Sequence, residues 1–182
     1  MRPCVHRTRA TSYNATVIRY PHSFEVTMPP LRLTIELVPS TCWYANLRDV
    51  LAPAAWAALR RQVFVESGNT CAICGARGRL HCHEVWSYDD VAHIQKLCGF
   101  LALCPLCHHV KHIGLAGLLA SRGALSYARV IEHFLRVNSC DRAAFQRHYQ
   151  EAMETWRSRS RYEWITDLGP YNPPPPQLAS DQ

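Results

Sequence analysis

The chain has 182 residues, 48% hydrophobic and 19% charged, with a formal net charge of +6. That is enough apolar material for one core, short of the roughly 250 residues at which cores divide. No stretch reaches the roughly 20 apolar residues of a membrane-spanning helix, so a membrane protein is not expected. The basic balance suits a polyanionic partner, nucleic acid first.

Residues 1–30 hold Arg2, Arg7, Arg9 and Arg19, several Ser and Thr, and no acid before Glu25. That composition resembles an organelle transit peptide; the reading adopted here is a flexible basic arm. No apolar run of signal-peptide length is visible, so the expected location is the cytoplasm. Residues 31–38 alternate, with Leu31, Leu33, Ile35 and Leu37 apolar and Arg32, Thr34 and Glu36 polar. Period two predicts a strand, ended by Pro39. Pro53 suits a first helical residue; Trp56, Leu59 and Val63 then share one face, and Gly68 is a plausible stop. The segment 70–112 is dense in Cys and His. Within it, Cys98 before Gly99 reads as a small buried residue at a helix end. Two helical patterns follow within 124–160, one carrying Tyr127, Val130, Ile131, Phe134 and Leu135, the other starting at Asp141 as N-cap. Residues 169–182 are expected to form a tail with a polyproline run, extended and solvated.

Nine cysteines are unusual, and in a reducing compartment short-spaced pairs read as metal ligands rather than disulfides. Cys71-Ala-Ile-Cys74 and Cys104-Pro-Leu-Cys107 are two C-x2-C pairs separated by residues 75–103. Each pair can present two sulfurs to one Zn²⁺ in a tight turn, and Gly75 stands where such a turn needs a positive φ. The expectation is a structural zinc site of Cys71, Cys74, Cys104 and Cys107. Four thiolates leave no open position for water, so this site is not the catalytic one. Cys4, Cys42 and Cys140 have no partner at metal spacing.

Between and after the knuckles lies a histidine cluster. Leu80-His81-Cys82-His83-Glu84-Val85-Trp86 reads as a short strand, and His108 and His112 sit four apart on one helical face. If the knuckle sets that helix beside the strand, His83, His108 and His112 converge on a second divalent ion. Imidazoles favour Zn²⁺, Ni²⁺ or Mn²⁺ over a bare Mg²⁺ site, and the choice among these four stays open. Such an ion suits phosphodiester cleavage, because it stabilises charge on phosphate while a base activates water. Lys111, Arg77 and Arg79 are candidate phosphate contacts. His93, His133 and His148 lie in no constellation, and ordinary surface or core placement is expected for them.

The order C-x2-C, a strand with His83-Glu84, then Leu103-Cys104-x2-Cys107-His108-x3-His112 resembles the HNH family (His-Me finger, ββα-metal) of endonucleases over residues 70–112. Trp43, Asn46-Leu47, Trp86, Gly99-Phe100, Trp156 and Trp164 extend the resemblance, over 31–168, to an uncharacterised bacterial and phage group of that family. The resemblance implies that His83, His108 and His112 hold a catalytic ion. Glu84 stands where the motif often has the general-base histidine. His81, on the same strand face as His83, is the second candidate base, ranked just behind Glu84. The family's asparagine is missing; Gly99 lies near its place.

The expected protein is therefore α+β. A ββα-metal core with a Cys4 zinc site is flanked by an N-terminal strand and helix and two C-terminal helices. The expected activity is metal-dependent hydrolysis of DNA, with RNA as substrate left open, as is the oligomeric state. The alternative is a non-catalytic zinc module that binds DNA or protein.

Overall fold

The computed structural model describes residues 30–42 and 47–172. The expected basic arm before Pro30, the polyproline run, and Trp43 and Asn46 of the family resemblance lie outside these residues. By its contacts the chain divides between Leu31 and Arg32, and every element among the described residues falls on the C-terminal side. Among the described residues the architecture is mixed α+β, with a three-stranded sheet and six helices. None of those helices is long and apolar enough to cross a membrane.

A single helical turn, α1 (Leu47–Val50), precedes α2 (Pro53–Glu66). Pro53 is the first residue of α2, where its missing N–H costs nothing. The helix ends in two residues of positive φ, Gly68 and Asn69. An antiparallel hairpin follows, β1 (His81–Asp89) and β2 (Ile94–Leu103), closed by Asp89, whose carboxylate accepts the N–H groups of Val91 and Ala92. The segment before Gly99 is thus strand, not the expected helix end. A short apolar run fits either state, and here the pairing of β1 with β2 decides it. Cys98 is the extra residue at a bulge, since Val85 faces Gly99 and Trp86 faces Leu97.

Four helices come next: α3 (Pro105–Lys111), α4 (Ile113–Ser121), α5 (Tyr127–Asn138) and α6 (Arg142–Arg159). The caps of α5 and α6 are Ser126, accepting from the Arg129 N–H, and Asp141, accepting from the Ala144 N–H. Helix α4 was not foreseen. It reads Ile-Gly-Leu-Ala-Gly-Leu-Leu-Ala-Ser, apolar nearly all round, so it shows no helical stripe. A short strand, β3 (Ile165–Asp167), adds to β2 in parallel and completes the order β1-β2-β3.

The predicted strand at 31–38 joins no sheet. Its residues keep the alternation, with Leu33 and Ile35 buried and Arg32 and Glu36 exposed. Its backbone is instead satisfied by side chains and a helix end. The Leu33 N–H donates to Asn138 Oδ1 while Asn138 Nδ2 donates to the Leu33 carbonyl, both at 2.9 Å. The Ile35 N–H donates to His148 Nε2, the Glu36 N–H to the Lys111 carbonyl, and Trp156 Nε1 to the Val38 carbonyl. The segment is thereby laid along α5, α3 and α6. Leu33 and Ile35 are buried, as are Leu103, Val110, Ile113, Val130 and Phe134 on the elements around them. Burying Leu33 and Ile35 contributes about 1.5–3 kcal/mol each.

Candidate functional site

The first knuckle closes on itself. The Gly75 N–H donates to the Cys71 carbonyl, the Cys71 N–H to Ala76, and Gly75 has φ +72°. The Ala72 N–H donates to the Ala102 carbonyl, which ties the knuckle to the end of β2. The second knuckle is the start of α3, with Cys104 as N-cap accepting from the Cys107 N–H and Pro105 as first helical residue. Cys71, Cys74, Cys104 and Cys107 come together with all four sulfurs within 4.8 Å of one another. Cys74 Sγ and Cys104 Sγ are 3.6 Å apart. Four sulfurs at about 2.3 Å from an ion in a tetrahedron lie about 3.8 Å apart, so the quartet fits a structural ion such as zinc.

This cluster has a partner that sequence reasoning missed. His133, 4% exposed, places Nε2 3.1 Å from Cys107 Sγ. Its Nδ1 accepts a hydrogen bond from Arg136 at 2.8 Å, so the ring hydrogen belongs on Nε2 and points at the Cys107 sulfur. His133 also lies 4.0 Å from Cys104 Sγ. The hydrogen bond from Cys107 pulls the Cys104 thiol down to about 3 and pushes Cys107 upward. One thiolate thus forms among crowded neighbours, and a cation is what lets the rest ionise.

The second cluster sits farther along the same helix. His83 on β1 and His108 and His112 on and just after α3 bring one nitrogen each to within 4.8 Å of the others. His83 Nδ1 and His112 Nε2 are 3.2 Å apart. Two nitrogens bound at about 2.1 Å in a tetrahedron lie about 3.4 Å apart, so this spacing matches a pair aimed at one ion. The rings of His108 and His112 are 4.7 Å apart by centroid and those of His83 and His108 5.5 Å. Burial, then the neighbouring imidazoles, lowers His108 to about 2 and His112 to about 4. Both nitrogens therefore keep their lone pairs well below neutral pH.

Glu36, which the sequence reading placed only as a polar strand residue, completes this cluster. Its Oε2 lies 3.2 Å from His83 Nε2, and Oε1 is ion-paired with Lys111. Partial loss of hydration works to raise this carboxyl, whose side chain is still 45% exposed, but the His83 hydrogen bond and the Lys111 charge outweigh it and bring it to about 2. Lys111 is 4% exposed and also donates to Thr34 Oγ1 at 3.0 Å. It is therefore an internal ion-pair partner and not the expected phosphate contact.

The two candidate bases part company. Side chains alternate across a strand, so His81 and His83 share a face and Glu84 takes the other. His81 stacks near His108 with centroids 4.8 Å apart. Burial, and then the charge of Arg79, lowers its pKa. The Glu84 carboxylate accepts the Leu47 N–H at 2.8 Å, away from the imidazoles, and burial raises it. Of the two candidates, His81 is the one that lies beside the imidazoles. Arg77 and Arg79 are both exposed, and Arg60 on α2 joins Arg79 in acting on His81. The remaining histidines scatter: His93 stacks on Tyr162 and His148 on Phe134. Comparison of the chain with protein-family models, with curated proteins and with solved structures finds no match.

Proposed function

We propose that the chain is a metal-dependent endonuclease of the HNH, ββα-metal type that hydrolyses phosphodiester bonds in DNA. The observation that supports this most is the convergence of His83, His108 and His112 beside a Cys4 knuckle, on a β-hairpin followed by a helix. In this reading Cys71, Cys74, Cys104 and Cys107 hold a structural zinc ion. His83, His108 and His112 hold a catalytic divalent ion, Zn²⁺, Ni²⁺, Mn²⁺ or Mg²⁺. That ion, when bound, supplies charge stabilisation at the scissile phosphate and its leaving oxygen.

The chain's own groups do the rest. His81, kept neutral beside the cluster, takes the proton of the attacking water, as a base whose pKa lies below neutrality can. Arg79 and Arg77 are exposed on the stretch entering β1 and hold the flanking phosphates by charge. Glu84 fastens the start of α1 through the Leu47 N–H and takes no part in proton transfer. The protein is proposed to act in the cytoplasm.

Two features favour the other reading, a zinc-stabilised module that binds DNA or protein without cutting. Glu84, at the motif's base position, faces away from the imidazoles, and Gly99 replaces the family's asparagine. Cleavage of supercoiled plasmid separates the two. Purified protein is assayed with Mg²⁺, Mn²⁺, Ni²⁺ or Zn²⁺ beside His83→Ala and His108→Ala. The nuclease reading requires nicking or linearisation by the wild type, lost in both zinc-loaded variants. Variants that cut as well as wild type refute it.

A further inference from the structure

The His83–His108–His112 cluster is approached by one carboxylate from outside the segment that carries it, and that carboxylate sits behind a ligand rather than among the ligands. We infer that Glu36 is the positioning residue of this metal site, fixing the ring of His83 so that Nδ1 faces the ion.

Four observations carry this. First, His83 uses its two nitrogens in two directions: Nδ1 lies 3.2 Å from His112 Nε2, and Nε2 lies 3.2 Å from Glu36 Oε2. A carboxylate only accepts, so the ring hydrogen belongs on Nε2 and the lone pair on Nδ1 is left toward His112 and His108. Second, Glu36 is itself held. Its other oxygen is ion-paired with Lys111 and accepts from Thr34 Oγ1 at 3.2 Å. Third, Lys111 is 4% exposed. A buried ammonium needs a paired anion, and among the described residues Glu36 is the acid it has. Fourth, the backbone at Glu36 is pinned, its N–H donating to the Lys111 carbonyl at 3.0 Å. Two bonds therefore join Glu36 to the residue next to His112, one through backbone and one through side chain.

A carboxylate behind a ligating imidazole sets the tautomer, holds the ring plane and makes the bound nitrogen more basic. Glu36 is placed for all three. This deepens the reading above at one point only: it rests on a metal ion at the three histidines, and not on the ion being used for cleavage.

The test uses the full chain with the Cys4 site zinc-loaded. Ni²⁺ and then Co²⁺ are titrated into wild type, Glu36→Ala and Glu36→Gln by calorimetry, and the Co²⁺ absorption spectrum is recorded. The expected result is one further ion in the wild type. Both variants bind it about 10- to 100-fold more weakly, with an altered Co²⁺ spectrum and an unchanged zinc content at the cysteines. If Glu36→Ala loses its zinc, it is misfolded and Glu36→Gln, nearly isosteric, decides the matter. Unchanged affinity and spectrum in the variants overturn the role of Glu36 while leaving the metal site standing. No further ion in the wild type overturns both. A Glu36-dependent ion in a protein that cuts no DNA supports the inference and removes the nuclease reading alone.

Discussion

Asn138 offers the sharpest check on how the site is assembled. Its side-chain amide does for Leu33 what a neighbouring strand would do, accepting from the N–H and donating to the carbonyl, both at 2.9 Å. Leu33 is 0% exposed, so water does not take over these bonds when Asn138→Ala removes them. Two hydrogen bonds at about 1 kcal/mol each, with about 1 kcal/mol more for the stranded backbone groups, come to about 3 kcal/mol. At roughly 3 °C per kcal/mol for a chain of this size, Tm falls by about 9 °C. Scanning calorimetry of zinc-loaded protein measures it. A second readout follows from the geometry, because the same segment carries Glu36 three residues on. Asn138→Ala therefore also weakens binding at the His83–His108–His112 site, with the Cys4 zinc retained. A Tm within about 2 °C of wild type, well under the loss expected for two buried hydrogen bonds, refutes the idea that side chains substitute here for a missing strand.

Three further outcomes are expected. His133→Phe keeps the ring volume but removes the N–H donated to Cys107. It should weaken metal retention at the cysteines by about 10-fold, seen as faster zinc release to a chromogenic chelator; unchanged release refutes a role for that bond. His108 and His112 have folded-state values of about 2 and about 4, below the roughly 6.5 of an unfolded histidine. The unfolded chain thus binds more protons between pH 6.5 and 4. Stability of protein lacking the second ion must fall as pH drops through that window, by up to about 1.4 kcal/mol per pH unit for each imidazole. Urea midpoints at pH 6.5, 5.5 and 4.5 should show this, with a shallower slope in His112→Asn; equal slopes refute it. Finally, His81→Ala should lower DNA cleavage about 100- to 10,000-fold with the second ion still bound. Glu84→Gln should leave cleavage intact, and the reverse pattern restores Glu84 as the base.

What could be read from the residues alone was whatever depends on short spacing. Two C-x2-C pairs and the His108–His112 step are local patterns, and the structure brings both sets of side chains together. The N-caps at Asp141 and Pro53 as first helical residue are equally local. What escaped depends on contacts across the chain. Glu36 meets His83, and His133 meets Cys107, at separations of 47 and 26 residues, with no motif linking either pair. Lys111 looked like a phosphate contact because a cation beside a histidine cluster usually faces solvent, and its burial against Glu36 has no sequence mark. Glu84 is different. Strand alternation sets it on the opposite face from His81 and His83, so its separation from the imidazoles was available without coordinates. The stretch 31–38 shows the limit of periodicity: period two reports an extended chain with one face buried, but not whether a strand or a set of side chains lies beside it.

Cys107 and His108 are consecutive residues, yet their side chains belong to two different clusters. One peptide unit is the whole spacer between them, on a helix of seven residues. That short helix ties the two clusters together: with an ion held by the thiolates, as proposed above, its radius would set where the imidazoles stand. Under that proposal, exchanging zinc for the larger cadmium at the cysteines would shift His108 and His112 relative to His83, although no residue of the second cluster is touched. Ion preference at the histidines would then follow the ion that the cysteines hold.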